Sequence, residues 1–344
     1  MQIIKKNKTL IIAEVGPNHN GSIKTALIMI KKIAKAGADV IKFQLASPHK
    51  VYSDDAFKAD YQKKNDGNRS ILDMSKKIQL KRDDHFKLKK ACEKEGIIYA
   101  CSAFDLDSLK FLNEKINLPF FKIPSGEILS IDMLDYISKS NKPVLMSTGM
   151  STFEEISYAL KYLNKNKVRR QIILLHCVSS YPAKNENLNL NVIDQLRMKF
   201  DKEIGYSDHS TGNEACLAAV AKGALVIEKH VTLSRKNKGP DHKSSSELID
   251  FKKLVRKIRN LEIILGDNNK IFSKDEINVK KVARKSIVAA NDIIKGRKLK
   301  REDIVFKRPG IGISPIDIKK ILGKRLLKDK KKNKLIFIKD LEKK

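Results

Sequence analysis

The sequence predicts an α/β chain, a (β/α)8 TIM barrel followed by a small domain built mostly of strands and turns. Three observations carry this. Eight short apolar runs alternate with longer segments whose apolar residues recur every three or four positions, the spacing of amphipathic helices. The alternation spans residues 1–266, the size of one such barrel. After Gly266 the pattern changes to a polar, lysine-rich stretch and then a compact remainder. A doubly wound open sheet also alternates strands with helices. The glycine-rich turn that follows its first strand is absent here, where the chain reads Glu14-Val15-Gly16-Pro17-Asn18-His19-Asn20-Gly21.

The expected strands are residues 9–15, 39–44, 97–102, 120–124, 143–147, 171–177, 203–207 and 224–230, each an almost unbroken apolar run of the kind that parallel strands need when both faces are covered. The expected helices are 23–36, 83–95, 106–116, 131–138, 152–163, 213–222 and 247–265, each with a repeating apolar stripe. Residues 46–82 read as a long polar loop with Tyr52, Tyr61 and Asn65-Asp66-Gly67-Asn68. Long loops after barrel strands are more often functional than random, so this one is expected to cover a site. Residues 267–281 read as a linker and 282–344 as the second domain, with turn signals at Lys295-Gly296 and Pro309-Gly310.

The chain has 344 residues, 41% of them hydrophobic, enough for a sizeable core that must rest on Ile, Leu, Val and Ala because Trp is absent. A net charge of +31 invites a nucleic-acid reading. The lysines are spread along the whole chain beside abundant Ile and Asn, and no arginine-rich helix, zinc-finger spacing or RNA-binding aromatic signature is present. The charge therefore reads as a compositional bias that also helps collect an anionic substrate, and nucleic acid is not the expected partner. Cys92, Cys101, Cys177 and Cys216 form no C-x-x-C pair, so a reducing, cytoplasmic setting is expected. The first eight residues carry no secretory apolar segment, and no apolar run is long enough for a membrane span.

Chemistry concentrates where barrel strands end. His209 and His230 each close an apolar run, beside Asp208 and Glu228, and two neutral imidazoles on neighbouring strands can hold one divalent metal with positions left open. Lys42 and Lys122 lie in runs so apolar that an ammonium group is costly there without an anion; the alternative is a lysine snorkelling to the rim. Ser102, Ser125, Ser147 and Ser207 stand at neighbouring strand ends as hydroxyl donors. Together these residues point to a phosphate or carboxylate cradle. Glu14, Gln44, Phe104, Glu127 and Tyr181 complete the set at strand ends.

The chain resembles the sialic acid synthase family, phosphoenolpyruvate-dependent condensing enzymes that make nine-carbon sugar acids. The segments that carry the resemblance run from Ile11 to Gly21, Gly37 to Gln44, Phe121 to Glu127, Leu145 to Met150, Leu174 to Pro182, Gly205 to His209, Glu228 to Leu233 and Gly239 to Lys243. Lys307-Arg308-Pro309-Gly310-Ile311-Gly312-Ile313-Ser314 continues it into a tail similar to the antifreeze-like (SAF) domain of that family. The resemblance implies Mn²⁺ or Mg²⁺ on His209 and His230, and phosphoenolpyruvate held by Lys42, Ser102, Lys122, Ser125, Ser147 and Ser207. It implies an N-acylated amino sugar, such as N-acetylmannosamine, facing Gln44, Phe104, Glu127, Tyr181 and Asp241. Arg308 would reach that sugar from a second subunit, in a domain-swapped homodimer, and Glu14 and Glu228 would manage protons near the metal.

Ser102-Ala103 departs from the family's frequent Thr-Pro, Ser179 stands where some members have Asn, and residues 65–70 match loosely; the last two bear on which sugar fits. A legionaminic or pseudaminic acid synthase using a diacetamido hexose is the neighbouring reading. Barrels that condense phosphoenolpyruvate with pentose or tetrose phosphates lack the Lys-Arg-Pro-Gly tail. A carbohydrate-, ice- or nucleic-acid-binding role would leave the strand-end lysines and histidines without a purpose.

Overall fold

The computed structural model describes residues 8–343 except Asn68 and Asn268. The expectation that the N-terminal stretch is no secretion signal falls on residues 1–7 and so lies outside the described residues, as does Asn68 of the 65–70 stretch. The chain divides into two compact units, Met1–Gly266 and Asp267–Lys344.

The larger unit contains eight parallel strands: β1 (Leu10–Glu14), β2 (Val40–Leu45), β3 (Ile98–Ala103), β4 (Phe121–Ile123), β5 (Val144–Ser147), β6 (Ile172–Cys177), β7 (Glu203–Asp208) and β8 (Val226–Thr232). Each lies within two residues of its expected position. They pair in the order β3-β2-β1-β8-β7-β6-β5-β4. β3 and β4, at the two ends of that path, pack against each other and nearly close a TIM-type barrel. A two-residue strand, β9 (Ser246–Glu247), pairs with the end of β8.

Helix α1 (Ile23–Ala36) follows β1. It is capped by the Ser22 side chain, which accepts from the Thr25 amide, and it stops at Gly37, whose φ of 90° only glycine adopts freely. The stretch 46–82, expected to be irregular, instead winds into three short helices, α2 (Pro48–Val51), α3 (Asp60–Asp66) and α4 (Ile71–Ile78). Neither α2 nor α3 buries a residue, so no apolar stripe announces them. Next come α5 (Arg82–Lys94), α6 (Leu106–Phe111), α7 (Ile131–Ser138), α8 (Phe153–Asn164), α9 (Val192–Phe200), α10 (Glu214–Ala221) and α11 (Leu248–Leu265). The single helix expected over 106–116 ends early, passing into a π-helical turn at Leu112–Ile116. Helix α9 was not expected, although Val192, Ile193 and Leu196 mark its face.

Period-2 alternation along the strands explains where polar groups go. On β1 the residues Leu10 and Ile12 join Val40, Ala100, Phe120, Leu145, Ile173, Leu175 and Val226 in a core inside the barrel. Ile11, Ala13, Ile41, Phe43 and Ile227 face the other way and pack under the helices. Continued two residues further, the inward rows reach Glu14, Lys42, Ser102, Lys122, Ser147, Cys177, Ser207 and Glu228, all on the wall of one cavity. The lumen is thus apolar at its base and polar at the ends of the strands. Gly205 makes this packing possible, since a Cβ there would strike Leu175 and Val226.

In the smaller unit, the expected linker contains α12 (Lys274–Ala283), opened by a Ser273–Glu276 capping box. Beyond it β10 (Ser286–Ala289) and β11 (Ile304–Lys307) pair antiparallel. Isolated bridges, such as Val288 with Leu335 and Leu326 with Leu341, and the one-turn α13 (Ile318–Ile321) complete a small core of Ile287, Ile293, Leu299, Ile304, Leu326 and Ile336.

His85 is fully buried, with Nδ1 2.6 Å from the Tyr99 hydroxyl. Burial lowers its pKa from the ordinary 6.5 to about 4, and burial likewise holds His19 at about 4. Both are neutral when folded and take a proton more readily when unfolded. Their stabilisation is therefore complete above pH 6.5 and is lost as pH falls toward 4. The urea midpoint should fall across that window, and the fall should be smaller in His85→Gln, which cannot charge. Equal slopes in the two proteins would contradict this.

Candidate active site

At the open end of the strands lies a cavity of about 320 Å³. Four buried charges form an alternating chain along its floor. Lys42 Nζ is 2.7 Å from Glu14 Oε2 and 3.7 Å from Glu228 Oε2, and Lys122 Nζ is 3.8 Å from Glu228 Oε1. Strand register sets this order: Glu14 stands opposite Lys42 on one side and His230 on the other, and Ser207 stands opposite Glu228. Lys42 donates to Ser102 Oγ at 3.0 Å and Lys122 to Ser147 Oγ at 2.7 Å. Both serine oxygens act as acceptors in these bonds, so their own protons are free to turn to a ligand. Ser207 donates to Glu228, and Gln44 donates to Glu14 Oε1 at 2.8 Å. Ser125 Oγ accepts from the Gly149 amide at 3.1 Å. A Cβ at Gly149 would strike Ser125, Cys177 and Ser179, so glycine keeps this part of the wall open.

The two histidines meet at the same mouth, their ring centroids 5.5 Å apart. His209 Nδ1 is 2.7 Å from the Val178 carbonyl, which fixes that nitrogen as the donor and leaves Nε2 with its lone pair free. His230 Nδ1 makes no hydrogen bond and lies 3.6 Å from Asp241 Oδ2. Burial lowers the pKa of both rings, so both are neutral, as metal ligation requires. Among the described residues no three His, Cys, Asp or Glu side chains form a metal-binding group. The residues therefore fit a divalent cation only as a two-imidazole site whose remaining positions come from substrate and water.

The electrostatics follow from burial. Burial drives Glu14 up to about 7, opposed by Lys42 and assisted by Glu228. Burial also works to raise Glu228, but Lys122 and Lys42 overcome it and leave the carboxylate below its usual range. Lys42 is raised because Glu14 and Glu228 outweigh its burial, whereas burial wins at Lys122 and lowers it. Asp241 rises to about 7, through burial and then through Glu14.

Glu14, Lys42, Gln44, Ser102, Phe104, Lys122, Ser125, Ser147, Tyr181, Ser207, His209, Glu228 and His230 all line this cavity. Glu127 does not. The short turn Ser125–Glu127 carries its carboxylate to the Ser130 hydroxyl, in a neighbouring hollow that shares the Phe104 wall. Asp241 sits behind His230 rather than on the cavity wall. Arg308 belongs to the smaller unit, where its Nε donates to the Ala283 carbonyl at 2.8 Å beside a hollow rich in lysine. Asp208 points to the outer side of β7 and pairs there with buried Lys229, so of the two carboxylates beside the histidines only Glu228 faces the chemistry.

The lining also includes Tyr61, from the 46–82 stretch expected to cover a site, and Ser179, expected to bear on the sugar, together with Gln62 and Cys177, which were not among the expected site residues. Cys177 and Ser179 continue the inward row of β6 and were legible by counting in twos. Tyr61 and Gln62 come from α3 and carried no strand-end signal.

Comparison with known proteins identifies the family and supports the fold. Residues 29–270 match the NeuB family and residues 284–342 match the SAF domain. The N,N'-diacetyllegionaminic acid synthase of Campylobacter jejuni is 43% identical over 96% of this chain and 99% of its own length. Human N-acetylneuraminate-9-phosphate synthase is 34% identical over 92% of this chain and 88% of its own. The crystal structure of an N-acetylneuraminic acid synthetase from Leptospira borgpetersenii, in complex with citrate, superposes with a TM-score of 0.72 at 34% identity, covering 80% of this chain and 92% of that one.

The buried charge chain makes a stability prediction. Lys42→Met removes the charge that opposes burial at Glu14, so the carboxyl must either take up a proton or stay ionised without its nearest partner, and breaking such a buried pair typically costs about 3 kcal/mol or more. Adding Glu14→Gln removes the stranded charge and should restore most of the loss. Additive losses in urea denaturation of the single and double variants would contradict the pairing.

Proposed function

The chain belongs to the NeuB family and carries a SAF domain, and from that premise we propose that it condenses phosphoenolpyruvate with an open-chain N-acylated amino sugar, giving a nine-carbon sugar acid and phosphate. The observation that carries this reading is the convergence of two buried lysines, four serine hydroxyls and two neutral imidazoles on one cavity. A small molecule bearing both a phosphate and a carboxylate would find donors for each. Lys42, Lys122, Ser102, Ser125, Ser147 and Ser207 would receive it. The lysines would then stabilise the negative charge that the reaction shifts but does not remove, in a site where such donors are already fixed in place.

His209 and His230 would hold a Mn²⁺ or Mg²⁺ ion, which supplies Lewis-acid polarisation of the sugar aldehyde. The C3 carbon of phosphoenolpyruvate forms the new C–C bond with the aldehyde carbon, whose oxygen gains a proton. Water adds at C2, and the C2–O bond to phosphate breaks. Glu14, held near 7, is the carboxylate suited to exchange a proton with water in the cavity near neutral pH. Tyr181 and Gln44 line the cavity where the acceptor sugar would lie.

Among acceptors, the identities favour a diacetamido hexose of the legionaminic type: 43% to the legionaminic acid synthase, against 34% both to the neuraminate 9-phosphate synthase and to a pseudaminic acid synthase of Campylobacter jejuni. A homodimer completed by Arg308 of a second copy is part of this reading. Strongly exposed aliphatic side chains in each unit taken by itself support it, Ile263 and Ile264 in the larger and Ile271, Val279 and Val282 in the smaller, since such groups are commonly covered by a partner. Four cysteines, all buried and free, accord with a cytoplasmic setting. Among the described residues no helix is long and apolar enough to cross a membrane.

Phosphate release from phosphoenolpyruvate should require an N-acylated hexose, with a diacetamido hexose outpacing N-acetylmannosamine, and should stop on metal chelation. No release with any of these sugars, or equal release with pentose phosphates, would reject the reading. His209→Ala and His230→Ala should each abolish turnover while the thermal midpoint stays within a few degrees. Arg308→Ala should raise the sugar KM and leave that of phosphoenolpyruvate alone; an unchanged sugar KM would remove Arg308 from the site.

A further inference from the structure

We infer that helix α3 is a two-point clamp that positions the histidine pair, Tyr61 acting on His209 and Asn65 on His230. The task assigned to those histidines rests on the reading above; the geometry of the clamp does not. Tyr61 and Asn65 are four residues apart, so they project from one face of the helix. The Tyr61 ring lies 5.0 Å from Tyr181, and Tyr181 in turn lies 4.2 Å from the His209 ring, each pair inclined by about a third of a right angle. At the other end of the same face, Asn65 Nδ2 donates at 2.8 Å to the carbonyl of Pro240. The next residue is Asp241, whose carboxylate stands 3.6 Å from His230 Nδ1. One helix thus reaches both imidazoles: Asn65 reaches His230 through the segment that bears Asp241, and Tyr61 reaches His209 through Tyr181, which also meets the His230 ring edge-on at the longer distance of 5.9 Å.

Nothing in the core accounts for α3 being where it is. It buries none of its residues, and a short helix that is polar all round gains little from packing. It is instead tied down by polar contacts. Lys58, just before it, is buried and spans the helix to reach Asp66 at 2.7 Å and the Gly67 carbonyl at 3.0 Å. That brace ties the segment before the helix to its C-terminal end, on either side of the two arms. The loop that bears Asp241 is itself held by side chains: Asn20 donates to the Lys238 carbonyl, and Thr232 bonds to His242. Asn65 makes the contact immediately before Asp241. Tyr61 and Asn65 are positioning residues. They act through Tyr181 and Asp241 and set the separation and tilt of the two rings to which substrate must be aligned.

The test uses the full-length protein, with long-range ¹H–¹⁵N spectra of the imidazoles, assigned from the His209→Ala and His230→Ala spectra, alongside kcat and KM. Asn65→Ala should shift the His230 signals more than those of His209, whose ring lies 5.5 Å away. Tyr61→Ala should shift His209 the more, and Tyr61→Phe, which keeps the ring, should restore it. Asn65→Asp keeps the size but loses the donor, so it should reproduce Asn65→Ala even if the smaller side chain loosens the helix. Both arms should lower kcat on the order of ten-fold or more, with the phosphoenolpyruvate KM unchanged. Lys63→Ala, on the exposed side of α3, should change neither spectrum nor rate. Unmoved His230 signals in both Asn65 variants, or equal damage from Tyr61→Phe and Tyr61→Ala, would overturn the clamp. Shifted spectra in a protein whose wild type releases no phosphate would uphold the clamp and reject the condensation.

Discussion

Burying two ammonium groups and two carboxylates at the mouth of a barrel is the constraint from which the rest of this structure follows. Each isolated ion would cost several kcal/mol to remove from water. Glu14, Lys42, Glu228 and Lys122 offset that cost by alternating in sign, with separations of 2.7, 3.7 and 3.8 Å. The tight pair is Lys42 with Glu14; the contacts of Glu228 are looser. Lys122 is accordingly the less well compensated lysine, and burial lowers its pKa where that of Lys42 is raised. A floor arranged this way is stable when empty yet keeps one cation only partly satisfied, which is the condition under which an incoming anion gains most. The strands dictate the arrangement. The row that gives Leu10 and Ile12 to the lumen gives Glu14 to its mouth, and the same count on β2 gives Val40 and then Lys42.

The ceiling is built on different principles. No strand supplies Tyr61, Gln62 or Asp241; they come from a short helix and from the loop after β8. Aromatic stacking and single hydrogen bonds hold these pieces, not apolar burial. Tyr181 is the joint between floor and ceiling, packed on His209 on one side and under Tyr61 on the other. Its body packs against both imidazoles, and their neutrality is a matter of burial: desolvation is the leading cause of the lowered pKa at both rings.

This division explains what could be read from the sequence. The eight strands and the residues at their ends were legible because a parallel strand covered on both faces must be apolar, so Lys42, Lys122 and Glu228 stand out against their surroundings. Glu127 looked equivalent and was not, because the chain leaves β4 after Ile123 and a turn carries the carboxylate away. Asp208 and Glu228 looked alike beside their histidines, yet a side chain one place from an inward residue faces outward, and Asp208 meets Lys229 under the helices. Helices α2, α3 and α12 were hidden because they bury no residue, and periodicity detects only helices that have a face to bury.

The same division bears on how one floor could serve different sugars. In the proposed condensation the floor would recognise charge, which is common to every reaction that begins from the same anion. Acceptor choice would then fall to groups above it, among them Gln44, Tyr61, Gln62, Phe104 and Ser179, which line the cavity. Phe104 is the informative member, because it lines both the cavity and the neighbouring hollow that contains Glu127. Burial raises the pKa of Glu127, and its carboxylate accepts from the Ser130 hydroxyl within that hollow. Pockets discriminate weakly between sugars that differ only in bulk. They discriminate strongly when the wrong sugar leaves a buried polar group without a partner. Polar groups on the cavity wall itself, such as the Tyr61 and Ser179 hydroxyls, could meet that condition, whereas the lysines and serines of the floor, equally satisfied by any such anion, would not.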